Sequence, residues 1–305
     1  MDQPVQRSAV QAMIDKLETL YTVELIMTPR EKLVVETCKT VVEPCKTATN
    51  EKSKGVKAQE EAKKDEQNEQ NFDCIPLIDD QNQIVGLNIF ENCADSSSGD
   101  PKKWKVVPLS EKWIIAHDTS IYQLVEDFAE QRTCCYLVAK ENKIAGIVTP
   151  ADLQKIPARA YFYALAAQLE QLLGDSIRKK IQNKYVNDEK SQLFVIKGCP
   201  GFNAKKVKNL QHFYKKQKNM NQNIDYIAVL SFGDLIKVGH HLNVMGHNEF
   251  FKDIEKFRNW IAHPVKDGAN ADQKKVDIFD TQQIWCYLRA LKVMIAWLDR
   301  DFRSR

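Results

Sequence analysis

Two hydrophobic rhythms divide the chain. Between residues 20 and 157 the apolar positions fall in short runs separated by turn formers. Ile75, Leu77 and Ile78 precede Asp79-Asp80-Gln81-Asn82, and Ile84, Val85 and Leu87 follow, which predicts a β-hairpin. About 60 residues later the phrase returns, a spacing that marks an internal repeat. Tyr136, Leu137 and Val138 lead into a turn at Lys140 to Asn142, and Ile144, Gly146, Ile147 and Val148 lead out of it. Ahead of this second hairpin lies the strand-like stretch 113–118, then Ile121, Leu124, Val125 and Phe128 at helical spacing. The unit is strand, helix, strand, turn, strand, helix, and two copies of it predict a pseudo-two-fold α/β module.

After Pro157 the period changes. Segments 158–173, 225–239, 248–263 and 279–302 all carry apolar residues at steps of three and four, with Phe250, Ile254, Phe257 and Ile261 forming one stripe. With the basic stretch Lys205 to Lys218 between them, they predict about five helices packed as a bundle. The expected fold class is thus α+β and multidomain, with an α/β pair over 1–157 and an all-α bundle over 158–305.

Composition adjusts this picture in three places. Residues 43–71 hold 6 lysines, 7 acidic residues and no aromatic residue, so they cannot bury enough apolar surface to offset the entropy of ordering, and they read as a disordered insertion. The net charge of +3 conceals residues 178–218, where 12 Lys and Arg face only Asp188 and Glu189. The 8 cysteines form no C-x-x-C pair and are too sparse for a disulfide scaffold, so they read as reduced thiols of a cytoplasmic protein. No apolar run approaches the length of a membrane span.

The hairpin phrases carry a resemblance. Residues 25–35 (LIMTPREKLVV), 74–87 (CIPLIDDQNQIVGL) and 136–153 (YLVAKENKIAGIVTPADL) resemble a tandem pair of cystathionine β-synthase (CBS) domains, with the 43–71 insertion standing where helices of the first copy are expected. The resemblance implies an adenine nucleotide (ATP, ADP, AMP or a cyclic or dinucleotide form) as a regulatory ligand, its phosphate held by Thr149 and its ribose hydroxyls by Asp152. A hydroxyl and N–H groups at a helix start suit a phosphate. The same Thr149-Pro150-Ala151-Asp152 also reads as a plain helix N-terminus, with Pro in the first turn and an acid near the positive end of the dipole. In the first copy Asn88 and Glu91 stand at the positions taken as equivalent, which departs from the pattern.

The second resemblance rests on Phe257-Arg258-Asn259-Trp260-Ile261-Ala262-His263-Pro264. It resembles the motif of HEPN (higher eukaryotes and prokaryotes nucleotide-binding) domains, helical proteins of which many are metal-independent ribonucleases, and covers roughly residues 158–305. The resemblance implies Arg258, Asn259 and His263 as catalytic residues and a homodimer in which two motif helices face one cleft. Asn259 and His263 lie within about 40° of one another on a helix, with Arg258 about 100° away. Pro264 disfavours helical dihedrals at His263 and should end the helix there. His263 would act as base or acid on a ribose 2′-hydroxyl attacking the adjacent phosphate, and Arg258 would stabilise the developing charge, with no cofactor or metal for catalysis. An ion pair of Arg258 with an acid and a His cap at a helix end account for the same residues without chemistry.

Between the motif and the repeat, the lysines of the basic stretch, notably Lys205, Lys206, Lys208, Lys215 and Lys216, interleave with Tyr185, Phe194, Phe202, Phe213 and Tyr214, a combination suited to RNA. A lysine-rich solvated face is the other reading. His240, His241 and His247 lack partners at metal-ligand spacing, and neither a P-loop nor a dinucleotide-binding glycine motif occurs. The expected function is a nucleotide-regulated, metal-independent endoribonuclease acting on RNA by 2′-hydroxyl attack, in a bacterial stress or defence system. The alternative is a non-catalytic, nucleotide-sensing dimer that binds RNA or protein.

Overall fold

The computed structural model describes residues 8–37, 73–90, 104–185, 188–220, 224–244, 250–262 and 281–303. The 43–71 insertion, Glu91, His247 and His263 lie outside the described residues. The fold is α+β, with two small mixed sheets in the N-terminal region and several helices in the C-terminal region. Contacts group the chain into two compact units that alternate in sequence. Residues 27–116 and 132–149 form a sheet unit, and residues 1–26, 117–131 and 150–305 form a helical unit, so the helix predicted around Ile121 to Phe128 belongs with the bundle rather than with its own hairpin. No helix among the described residues is long and apolar enough to cross a membrane.

In the sheet unit the repeat is visible strand by strand. Strands β1 (Thr28–Pro29), β8 (Lys143–Val148), β7 (Tyr136–Lys140) and β6 (Ile114–Ala116) form one sheet in that order. Strands β5 (Trp104–Pro108), β4 (Ile84–Phe90), β3 (Cys74–Ile78) and β2 (Glu36–Thr37) form the other. Each sheet has two antiparallel pairings followed by one parallel pairing. Both predicted hairpins are present. The first closes where the Asp79 carboxylate accepts from Gln81 N at 2.9 Å and Gln83 N at 2.7 Å, with Asn82 at φ 59°. The second turns on Glu141 and Asn142, both left-handed (φ 51° and 61°), the geometry that matches the twist of a two-residue hairpin.

The register equates Leu77, opposite Gly86, with Val138, opposite Gly146, and each hairpin shifts register immediately after that pair. Pro108 lies opposite Gly86, and Pro29 opposite Gly146. This alignment corrects one reading of the sequence. Asn88 corresponds to Val148 rather than to Thr149, whose counterpart is the apolar Ile89. Asn88 instead donates to Glu36 Oε2 at 3.1 Å.

The helical unit is built around α3 (Ile156–Lys184), a helix of 29 residues with Pro157 in its first turn. Tyr161, Phe162, Leu165, Leu169, Leu173, Ile177 and Ile181 are all buried along it. Helices α1 (Ala9–Leu20) and α2 (Ile121–Gln131) precede it, and α4 (Glu189–Gly198), α5 (Ala204–Lys218), α6 (Phe232–His241), α7 (Phe250–Ala262) and α8 (Thr281–Arg303) follow. Caps set the starts: Ser8, Asp188, Asn203 and Ser231 each accept from the backbone N–H three residues on. Two of the described helices were not expected, α1 and α4, and one begins later than the apolar spacing suggests. The Asp225 carboxylate accepts from Ala228 N at 2.8 Å, which holds 225–228 as a turn and leaves Ser231 to start α6.

At Gly146 a methyl group would stand 2.4 Å from the Thr28 carbonyl oxygen, and at Gly86 one would stand 2.7 Å from that of Val107. Both neighbours are backbone, so neither can swing aside. Gly86→Ala and Gly146→Ala should each destabilise the protein by about 1–3 kcal/mol through overpacking. Urea unfolding followed by circular dichroism checks this, and midpoints equal to wild type would show that the strands can separate at no cost.

Candidate functional site

Helix α7 carries the Arg-Asn motif because Ile254, Phe257 and Ile261 bury one face of it. Phe257 lies between Phe162 of α3 (ring centroids 5.9 Å apart) and Tyr287 of α8 (5.0 Å). Burial of that stripe turns Arg258 and Asn259 toward the rim, where Arg258 is partly covered and Asn259 exposed. Arg258 Nη1 lies 3.5 Å from Asn259 Oδ1, and Nη2 lies 3.7 Å from Glu170 Oε2 on α3, while Nε is buried without a hydrogen-bond partner. The ion pair that the sequence allowed is therefore present, but with Glu170 and at the long end of the range. His263 follows one residue beyond the described end of α7.

The end of α7 is held by a residue the sequence did not single out. Arg159, in the first turns of α3, donates through Nη2 to the Trp260 carbonyl at 3.2 Å and to the Ile261 carbonyl. Carbonyls of the last turn lack helical partners, and a cation there also meets the negative end of the helix dipole. Desolvation lowers the Arg159 pKa from its usual value, yet an arginine so placed remains charged. A basic group is thus fixed two to three residues before His263 in sequence.

Glu170 also lines an open cleft of about 270 Å³ whose walls include Gln171, Arg178, Ile227, Leu230 and Leu235. Arg178 is fully engaged there. Its Nε and Nη2 donate to the two oxygens of Asp225 at 2.7 and 3.1 Å, and Nη1 meets Asp175 at 2.8 Å. Gln192 Nε2 adds a further bond to Asp225 at 3.2 Å. Arg178 is therefore a clamp between α3 and the 225–228 turn rather than an anion receptor.

The basic stretch sorts by helical angle. Lys205, Lys208, Lys215 and Lys216 are exposed, are not ion-paired with any described residue, and with His212 occupy about 100° of arc on α5. Lys206 lies off that arc and pairs with Asp234, and Lys218 pairs with Glu189. Of the aromatics, Phe202 and Tyr214 are buried in the core, whereas Phe213 and Phe194 are 47% and 65% exposed. On α4, Lys190, Phe194 and Lys197 share one face at steps of four and three. Among the described residues His240 and His241 join no group of metal-ligating side chains.

Thr149 is the last residue of the sheet unit and is partly exposed. Asp152, in the helical unit's next segment, is buried at 7% exposure, with Lys155 Nζ 2.7 Å from its carboxylate. The same ammonium donates to the Ile26 carbonyl at 2.6 Å. Any diol at Asp152 must compete with Lys155. Comparison with protein-family models, with curated proteins and with solved structures returns no match.

Burial acts to raise the Asp225 carboxyl, but the Arg178 fork, the Ala228 N–H and Gln192 outweigh it and hold the group below the usual carboxylate range. A depressed folded value stabilises the native state above the unfolded pKa of about 3.9, and the contribution is lost as pH falls through the folded value. Asp225→Asn should therefore cost about 2 kcal/mol near neutrality, the scale of a charged hydrogen bond. In urea titrations the gap from wild type should close below about pH 4. A gap that persists in acid would assign the loss to packing.

Proposed function

We propose that the protein is a homodimeric, nucleotide-regulated, metal-independent endoribonuclease, its helical part HEPN-like and its repeat a CBS pair. The observation that carries this reading is the end of α7. There Arg258 and Asn259 are adjacent at a partly open rim, with the Arg159 guanidinium fixed on the last carbonyls before His263. In this reading His263 moves the proton of a ribose 2′-hydroxyl as it attacks the adjacent phosphate. Arg258 stabilises the charge that builds on the phosphoryl oxygens. A single His cannot both take and give a proton in one step, so a second copy of the motif from a dimer partner completes the site. Lys205, Lys208, Lys215 and Lys216 supply phosphate contacts and Phe213 a stacking surface for single-stranded RNA.

Regulation by an adenine nucleotide has a short route within the helical unit. A ribose at Asp152 would draw the carboxylate from Lys155, the residue preceding α3, and one turn further along α3 stands Arg159. A ligand shifts the site only if it binds two arrangements of that turn unequally. The non-catalytic alternative is favoured by the Arg258–Glu170 pair, which gives the arginine a structural role.

The test is cleavage of end-labelled RNA in EDTA by wild type, His263→Ala and Arg258→Ala, with and without ATP, ADP, AMP and cyclic adenine nucleotides. The expected result is cleavage by wild type that leaves 2′,3′-cyclic phosphate ends, with at least a 100-fold loss in each variant, the scale of one acid–base or electrostatic group. Equal activity of wild type and His263→Ala, or no cleavage by either, would leave the binding-module reading. Lys208→Glu with Lys215→Glu should weaken RNA binding at least tenfold and flatten its salt dependence. Unchanged binding isotherms at two salt concentrations would remove α5 from the interface.

A further inference from the structure

The sheet unit holds a group of side chains that neither the repeat nor the proposed chemistry uses. Cys74, Cys134 and Cys135 place their three sulfur atoms within 4.8 Å of one another. All three are buried, at 8%, 9% and 0% exposure, in a core cluster with Ile84, Leu87, Leu137 and Ile147. Cys135 Sγ approaches Cys74 Sγ to 2.7 Å. The repeat explains the meeting. Cys74 lies three residues before Leu77, and Cys135 three before Val138, the residues that the register equates. The two thiols are therefore the same position of the two copies, brought face to face, and Cys134 adds a third donor from the turn that precedes β7. As small apolar residues any one of them would suit a core. Three sulfurs converging on one point are more than packing needs.

We propose that Cys74, Cys134 and Cys135 form a binding site for a soft monovalent cation, copper(I), held in trigonal coordination by three sulfurs. Among the described residues no His, Asp or Glu joins the group, so the donor set is sulfur alone. Thiolates select copper(I), zinc or iron–sulfur clusters from among the common metals. Zinc completes a tetrahedron and would need a fourth donor or a water. Copper(I) is satisfied by three sulfurs and needs no water in an apolar core. Its positive charge cancels that of one thiolate, which such surroundings would otherwise penalise. With metal–sulfur bonds of about 2.3 Å, a planar three-sulfur site spans about 4 Å between sulfurs. Ligation therefore requires Cys74 and Cys135 to part by about 1.3 Å, within reach of side-chain rotation. Each thiol that ligates as thiolate releases its proton to solvent, so affinity rises with pH. The residual exposure of Cys74 and Cys134 marks the side from which the ion enters.

The test loads the full chain anaerobically with one equivalent of copper(I) as its acetonitrile complex, then challenges it with a chromophoric copper(I) chelator. Wild type and Cys286→Ser, which alters an exposed thiol of the helical unit, should retain the ion. Cys74→Ser and Cys134→Ser should each lose it with at least a 100-fold fall in apparent affinity, with circular dichroism confirming that they fold. X-ray absorption of the loaded protein should show three sulfur neighbours. Retention unaffected by Cys74→Ser and Cys134→Ser would overturn the proposal, as would failure of wild type to retain copper(I). A preference for zinc(II) over copper(I) in parallel loading would also overturn it, as would a Cys74–Cys135 disulfide found by alkylation mass spectrometry in metal-free protein isolated under reducing conditions.

Discussion

The helical unit depends on the burial of α3. Its apolar residues are too many for one stripe: Ala158, Tyr161, Phe162, Leu165, Leu169, Leu172, Leu173, Ile177 and Ile181 spread over about 200°, more than half the circumference. A helix of this kind has to be enclosed by others. At 29 residues it runs about 43 Å, long enough for α4, α6, α7 and α8 to contact different stretches of it. Three polar contacts of the unit are referred to that rod. Arg159 near its start fixes the end of α7, Glu170 in its middle meets Arg258, and Arg178 further on clamps Asp225.

Basic residues of the helical unit therefore do two jobs that look alike in sequence. Arg159 and Arg178 both sit beside apolar neighbours and both bind backbone or carboxylate oxygen, so both serve the architecture. The lysines of α5 do neither. They stand on a helix whose buried residues are few, Val207 and Tyr214, and whose outer arc makes no ion pair with any described residue. Basic residues that meet no partner among the described residues are the ones left for a ligand of opposite charge.

Much of this was legible in the chain. The two hairpins announced themselves through alternation and through Asn82 and Asn142, residues that tolerate left-handed backbone. The spacing of Ile254, Phe257 and Ile261 fixed the outward placement of Arg258 and Asn259. Other features were hidden because they depend on partners remote in sequence. Nothing local marks Arg159 as the group that caps α7, and Asp225-Tyr226-Ile227-Ala228 has helical apolar spacing that its own carboxylate overrides. Asn88 fails to match Thr149 because the copies are in register at Gly86 and Gly146, where close approach of a backbone strand forces glycine. Cys74 falls on Cys135 when Leu77 is equated with Val138, the first hairpin's turn being one residue longer than the second's.

The pairing of β1 with β8 has a consequence for how the molecule is made. Thr28 opposes Ile147, so the strand that precedes the first hairpin is completed by the last strand of the second. Strand β5, which stands to the second copy as β1 stands to the first, completes the first hairpin's sheet. Neither half of the repeat contains its own full sheet. The sheet containing β1 can close only after Val148 has emerged from the ribosome, by which time the start of the chain has waited through the synthesis of more than a hundred residues. High contact order of this kind slows folding, and it leaves β1 without its partner, open to unwanted strand pairing, until β8 arrives.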